Sequence, residues 1–112
     1  MSYYFLYDGE TQLGKCIVRK GGGGNSVTLD YITILPKFRG NGYSTVLWEL
    51  LETQLKKLGV DTVLMDAHEL DTKHGKLVKL YQTWGFELNG VGKYGYNGDA
   101  LERIVSMVKR LP

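Results

Sequence analysis

The sequence holds a single cysteine, Cys16, so no internal disulfide can form. That fits a reducing compartment and removes the small disulfide-stapled folds. Long apolar runs are missing too, and no stretch approaches the length that spans a bilayer. The first residues, Met1 to Tyr7, are apolar but carry no basic region and are too short for a secretory leader. Lys and Arg are scattered without a block, and the formal net charge of +2 is close to balanced, so nothing points to nucleic acid as a partner. There is no internal repeat and no domain boundary. These absences leave one expectation: a cytoplasmic chain folded as a single domain over residues 1–112, with no membrane partner. Its 43% hydrophobic and 23% charged residues supply one ordinary core. A core of this size gives unexceptional stability, and a homodimer would be a natural supplement.

What is present reads as strands and two helices. Residues 3–7 are aromatic and β-prone, Asp8 to Thr11 is turn chemistry, and residues 12–20 form a second strand. Four glycines, 21–24, make a loose hairpin tip, read as a solvent loop because no helix pattern follows. Residues 27–35 give the strongest strand. Strict alternation sends Val27, Leu29, Tyr31, Thr33 and Leu35 one way and Thr28, Asp30, Ile32 and Ile34 the other. Apolar residues on both faces predict a central strand covered on both sides, with Asp30 an anomaly. Residues 44–58 are an amphipathic helix ended by Gly59, and residues 60–67 a further strand. That strand–helix–strand unit predicts a parallel pair with a right-handed crossover. A second helix over 73–84 starts at a cap by Asp71 or Thr72 and stops at Gly85; 89–98 is loop and hairpin, and 101–111 is a closing strand.

The segment between the strongest strand and the first helix carries the chemistry. It runs Pro36-Lys37-Phe38-Arg39-Gly40-Asn41-Gly42-Tyr43-Ser44-Thr45. A helix start presents amides without intrahelical partners and a partial positive charge. Gly40 and Gly42 let the backbone curl so that amides converge, Ser44 is small enough for close approach, and Arg39 adds a forked cation. The residues therefore read as a seat for phosphate or pyrophosphate. The plainer alternative is a turn that needs glycine only for geometry. A P-loop would need Gly-Lys-Ser/Thr at the helix start, and the chain is too short for a dinucleotide fold.

The stretch from Ile32 to Leu47 resembles the coenzyme A motif of the GNAT superfamily of N-acetyltransferases, Q/R-x-x-G-x-G/A, with Arg39 and Gly42 matching and Ser44 standing at the last position. Leu80-Tyr81-Gln82-Thr83-Trp84-Gly85-Phe86 resembles the family's helix-ending pattern L-Y-x-x-x-G-F, and residues 106–111 are similar to its last strand. The resemblance implies an α+β fold: one GNAT-like domain, a mixed and mostly antiparallel twisted sheet with a splayed parallel central pair, and two main helices. It also implies acetyl-CoA as cosubstrate and transfer of the acetyl group to a primary amine, on a small molecule or on a protein or peptide. Family members usually begin with a strand and two helices before the part that residues 3–20 resemble. Without them, one side of the acceptor site falls to a partner chain or to an open groove.

Several residue roles follow from the resemblance. The strand at Ile32 and Ile34 would pair with the pantetheine arm, and an amide near Ile34 or Leu35 would polarise the acetyl carbonyl. The pyrophosphate would rest on Arg39, Gly40, Asn41, Gly42, Tyr43, Ser44 and Thr45. His74 stands where the family often has asparagine on the coenzyme side. Tyr81 matches the tyrosine that protonates the departing thiolate, although its place in an apolar stripe with Leu77, Leu80 and Trp84 also reads as core. For the base that deprotonates the amine, Asp30 is the candidate that strict alternation places on the face of Ile32 and Ile34. Asp66, His68 and Glu69 are its rivals. Spacing among His68, His74, Asp66, Glu69 and Asp71 matches no metal cage, so no metal is expected. Cys16 reads as inert core. A non-catalytic acyl-CoA-binding or protein-interaction module stays open as the alternative to an enzyme.

Overall fold

The computed structural model describes residues 1–21, 23–70, 75–90, 92–97 and 100–112. Strands β1 (Ser2–Asp8), β2 (Thr11–Lys20) and β3 (Ser26–Ile34) form an antiparallel meander. A 3₁₀ turn (Pro36–Phe38) leads to helix α1 (Tyr43–Lys57), then β4 (Thr62–Leu70), helix α2 (Lys76–Thr83), and strands β5 (Glu87–Leu88), β6 (Lys93–Asn97) and β7 (Ala100–Arg110). The sheet order is β1-β2-β3-β4-β7-β5, with β6 also pairing β7. Among the described residues only β3 and β4 run parallel, as expected of a strand–helix–strand unit about α1.

Both helices lie on one face of the sheet. Trp48 of α1 stacks on Trp84 at 5.7 Å and meets Phe86 edge-on at 5.0 Å, so the end of α2 packs directly on α1. Beneath them sit Cys16, Val18, Leu29, Val63, Met65, Ala67, Val105 and Met107. The opposite face is uncovered among the described residues: Tyr3, Phe5, Tyr7 and Tyr31 alternate with core positions and are exposed. The expectation that β3 would be covered on both sides is therefore corrected.

The reason is a bulge. Val18 pairs with Leu29 and the adjacent Ile17 with Tyr31, so Asp30 is skipped. Beyond it the phase reverses, and Ile34 is buried on the same face as Leu29. Two apolar phases on one strand serve one covered face.

The helix ends explain the glycines the sequence spends there. At the end of α2, the Phe86 amide bonds the Tyr81 carbonyl at 3.1 Å and the Gly85 amide bonds that of Gln82 at 3.0 Å, with Gly85 at φ 96°. This is a Schellman ending, which requires a left-handed residue. The Tyr-x-x-x-Gly-Phe pattern is thus a device that returns Phe86 to the core beside Tyr81. The second helix is described from Lys76, later than the predicted start, and Asp71, Thr72 and His74 lie outside the described residues.

Candidate active site

The parallel ladder between β3 and β4 ends at Leu29 opposite Met65, although both strands run on. Between their parted ends lies a cavity of about 500 Å³. Its walls come from Ile32, Thr33 and Ile34 on β3, His68 and Glu69 on β4, and Leu77, Leu80 and Tyr81 on α2. Arg39, Gly40, Gly42, Tyr43 and Ser44 close it at the start of α1.

The loop at that end has unfilled donors. The first helical bond of α1 runs from the Val46 amide to the Gly42 carbonyl at 3.3 Å, so the amides of Tyr43, Ser44 and Thr45 have no helical acceptor. Gly42 is the N-cap at φ 76° and makes no side-chain cap, and the space where its Cβ would stand is open. Arg39 donates from Nε to the Ile34 carbonyl at 2.9 Å, which folds the loop back on the strand end and leaves its terminal nitrogens beyond that bond. Asn41 donates from its side-chain Nδ2 to the Phe38 carbonyl at 3.1 Å, bracing the loop from outside the cavity. Thr45 Oγ1 accepts from Trp84 Nε1 at 3.0 Å and ties the first turn of α1 to the end of α2. Free amides, an open glycine cradle and a cation fit the terminal oxygens of a diphosphate.

Along β3, amides alternate sides. The Leu35 amide bonds the Leu13 carbonyl at 2.8 Å and so faces β2. Those of Ile34 and Ile32 therefore face the gap where β4 has parted. Leu35 is not a wall of the cavity and is 38% exposed, so the polarising amide is Ile34's if either serves. The close approach of β2 here depends on Gly14, where a Cβ would stand 2.4 Å from the Thr33 carbonyl oxygen and 2.6 Å from Ile34 Cδ1.

Of the titratable side chains in the cavity wall, Tyr81 and Glu69 are buried. Tyr81 is 7% exposed, with its ring 5.1 Å from that of Trp84, so it is both core and wall. Burial, and after it the negative charge of Glu69, raises its pKa above the ordinary tyrosine value. Glu69 is 1% exposed. Its Oε2 accepts from the Leu77 amide at 3.3 Å in the first turn of α2, while Oε1 is buried without a partner. An ionisable group with one oxygen fixed and the other free is costly unless something binds there.

Asp30 is elsewhere. The bulge puts it off the phase of Ile32 and Ile34, and Arg19 grips it from Nε at 3.0 Å and from a terminal nitrogen at 2.9 Å. It is not a wall of the cavity. Among its rivals, Asp66 accepts from Ser106 Oγ at 2.9 Å away from the cavity, and His68 pairs through Nδ1 with Glu102 Oε1 at 3.0 Å at its margin. Cys16 is fully buried, and burial pushes its thiol up to about 11, which fits inert core. Among the described residues no three His, Cys, Asp or Glu side chains gather as a metal cage, and no helix is long and apolar enough to cross a membrane.

Known structures share this fold. The fold of the ribosomal-protein-S18-alanine N-acetyltransferase from Escherichia coli superposes with a TM-score of 0.82 at 20% identity, over 98% of this chain and 68% of that one. An acetyltransferase from Bacillus subtilis in complex with CoA gives 0.79 at 19% identity, over 98% and 76%. An aminoglycoside 6'-N-acetyltransferase complexed with coenzyme A gives 0.79 at 17%, over 98% and 72%. No curated protein matches the sequence closely enough to count as a relative. The sequence profile of the Acetyltransferase (GNAT) family matches residues 1–86, and the chain belongs to that family.

Proposed function

We propose that this protein transfers the acetyl group of acetyl-CoA to a primary amine, with Glu69 as the proton acceptor, Tyr81 as the proton donor and the Ile34 amide as the polarising group. The observation that carries the reading is one cavity in which unfilled helix-start amides, a strand edge without a partner and a buried carboxylate with one oxygen unpaired meet. Neighbours that bind coenzyme A on the same fold support it.

The amides of Tyr43, Ser44 and Thr45, with Arg39 and the cradle at Gly40 and Gly42, bind the diphosphate. Acetyl-CoA, when bound, supplies an acyl carbon activated by its thioester. The free edge at Ile32 and Ile34 aligns the pantetheine arm as an added strand would, and the Ile34 amide points where negative charge gathers on the carbonyl oxygen. Thr33 and His68 belong to the opposite side chain phase from Ile32 and Glu69, so the cavity also reaches the uncovered face of the sheet. The amine comes from there. An ammonium with pKa ~10.4 must lose a proton before it can attack, and Glu69 Oε1 takes that proton. Tyr81, whose raised pKa keeps it protonated, gives its proton to the leaving sulfur. Asp30, held outside the cavity, takes no part in proton transfer in this scheme. His74 stays a candidate coenzyme contact on its sequence position alone.

The acceptor is an amine on a small molecule or on a protein or peptide; relatives on this fold act on ribosomal protein S18 and on aminoglycosides. The test is release of free thiol across a panel of monoamines, polyamines, aminoglycosides and peptides, alongside calorimetric binding of CoA. Arg39→Ala and Gly42→Asp should weaken CoA binding at least roughly tenfold, since each removes or opposes a charge-assisted contact. CoA affinity that survives both changes would move the seat elsewhere.

A further inference from the structure

The strand that carries the site changes phase at a single residue, and that residue is tied down. Asp30 has no ladder position on β2, because the register passes from Leu29 opposite Val18 to Tyr31 opposite Ile17. It also lies one step beyond the last parallel pair, Leu29 with Met65. The bulge and the parting of β3 from β4 therefore coincide. Had the alternation run on unbroken, Tyr31 and Thr33 would continue the phase of Leu29, and Ile32 and Ile34 would turn to the uncovered face. The cavity would lose two of its walls.

A residue that no neighbouring strand pairs with needs another tie. Arg19, on β2 next to Val18, supplies it: Nε reaches the two carboxylate oxygens of Asp30 at 3.2 and 3.0 Å, and Nη2 reaches Oδ1 at 2.9 Å. A planar fork on a carboxylate fixes direction as well as distance. Arg19 belongs to the phase opposite to Val18, so the grip draws Asp30 to the uncovered face together with Tyr31.

We propose that Arg19 and Asp30 are positioning residues for the acyl-CoA site. By clamping the bulged residue to β2, they hold the phase of β3 in which Ile32 and Ile34 present their backbone edge and side chains to the cavity. The inference rests on the acetyl-CoA reading above. Exposed ion pairs add little to global stability, so the clamp acts on the geometry of the site and not on the melting of the domain.

The experiment measures CoA affinity by calorimetry and melting temperature on the full chain. Arg19→Met and Asp30→Ala should each weaken CoA binding roughly fivefold, the upper range for an exposed pair. Melting should fall by no more than about 5 °C. The exchange Arg19→Asp with Asp30→Arg should bring affinity back to within about twofold, because the fork is restored with its partners reversed. In turnover the loss should appear in the KM for acetyl-CoA, with kcat retained. Single variants that bind CoA like the wild type would overturn the proposal. So would an exchange that fails to restore binding, or losses of affinity that track losses of melting temperature. A wild-type protein that does not bind CoA would take down the acetyl-CoA reading and the clamp together. Wild-type binding with insensitive variants takes down the clamp alone.

Discussion

Glu69→Gln separates proton transfer from architecture more cleanly than any other change at the site. Glutamine keeps the shape and keeps an oxygen to accept the Leu77 amide, which now bonds Oε2 at 3.3 Å. What it removes is the basic oxygen, Oε1, and a negative charge at the first turn of α2. The charge–dipole loss there is about 0.3–1 kcal/mol, a shift of a few degrees in melting at most. The kinetic loss should be far larger. Near pH 7.4 a lysine-like amine is neutral in roughly one molecule per thousand, so an enzyme without a base waits for that fraction. Positioned bases contribute about 10²–10⁴-fold, and turnover of Glu69→Gln should fall within that range. The loss should also close with pH. Between about pH 7 and 10 the variant's kcat/KM should climb roughly tenfold per unit, as the amine deprotonates in solution, while the wild type is flatter. The assay is thiol release against pH, with CoA binding by calorimetry as the control for folding and cofactor. Turnover within about threefold of wild type at pH 7.4, with an unchanged pH profile, would refute the assignment.

Tyr81→Phe should lower kcat by roughly 10²-fold with CoA affinity unchanged, since the ring and its packing remain. Because Tyr81 has its pKa raised by burial and by Glu69, wild-type activity should persist past the usual tyrosine range of ~10, and its alkaline limb should move down in Glu69→Gln. The same sign governs folding: what the neutral phenol adds to stability is complete below ~10 and is lost as pH rises through the folded-state value, which a pH series of thermal melts would read. Gly14→Ala puts a methyl carbon 2.4 Å from the Thr33 carbonyl oxygen, so β2 and β3 must separate beside the site. CoA affinity should fall at least roughly tenfold, with melting lowered by several degrees through a loss of about 1–3 kcal/mol. Affinity left intact would mean the strand edge at Ile32 and Ile34 is not part of the cofactor's path.

Much of this was legible in the residues, and the part that was not has a single physical cause. The strand–helix–strand unit, the glycine loop and the ending at Gly85 are local patterns, each fixed by chain geometry within a few residues, and all are found where the sequence puts them. The bulge is a relation between two strands, and strict alternation cannot register it. Its trace was present all the same: Leu29 and Ile32 are three apart, an odd step that no unbroken strand can bury on one face. Reading through that step put Asp30 on the face of Ile32 and Ile34 and made it the candidate base. Glu69 was reached only as a rival because β4 was expected to stop at residue 67. Extended by two more residues, Val63, Met65, Ala67 and Glu69 share one phase, and a carboxylate in phase with three core side chains has to be answered by a partner or by a ligand.

The bulge at Asp30 and the longer β4 are linked, and in the proposed reading their link explains why the cavity stands where it does. A sheet bonded along its whole length would leave no free edge for a thioester arm and no way through for an amine. Skipping one residue on β3 at the height where β4 lets go supplies both at once: the amides of Ile32 and Ile34 lose their neighbour, and the gap lies between Thr33 and His68 on one side and Ile34 and Glu69 on the other. The start of α1 needs no further adjustment to meet it, since Arg39 bonds the carbonyl of Ile34, the last residue of the displaced strand. Deletion of Asp30 would leave Ile32 and Ile34 in their present phase but make β3 regular, so that β4 could pair on past Leu29; it would therefore be expected to cost the cofactor edge and the amine's path together. A deletion variant that kept either function by itself would show that the two have separate origins.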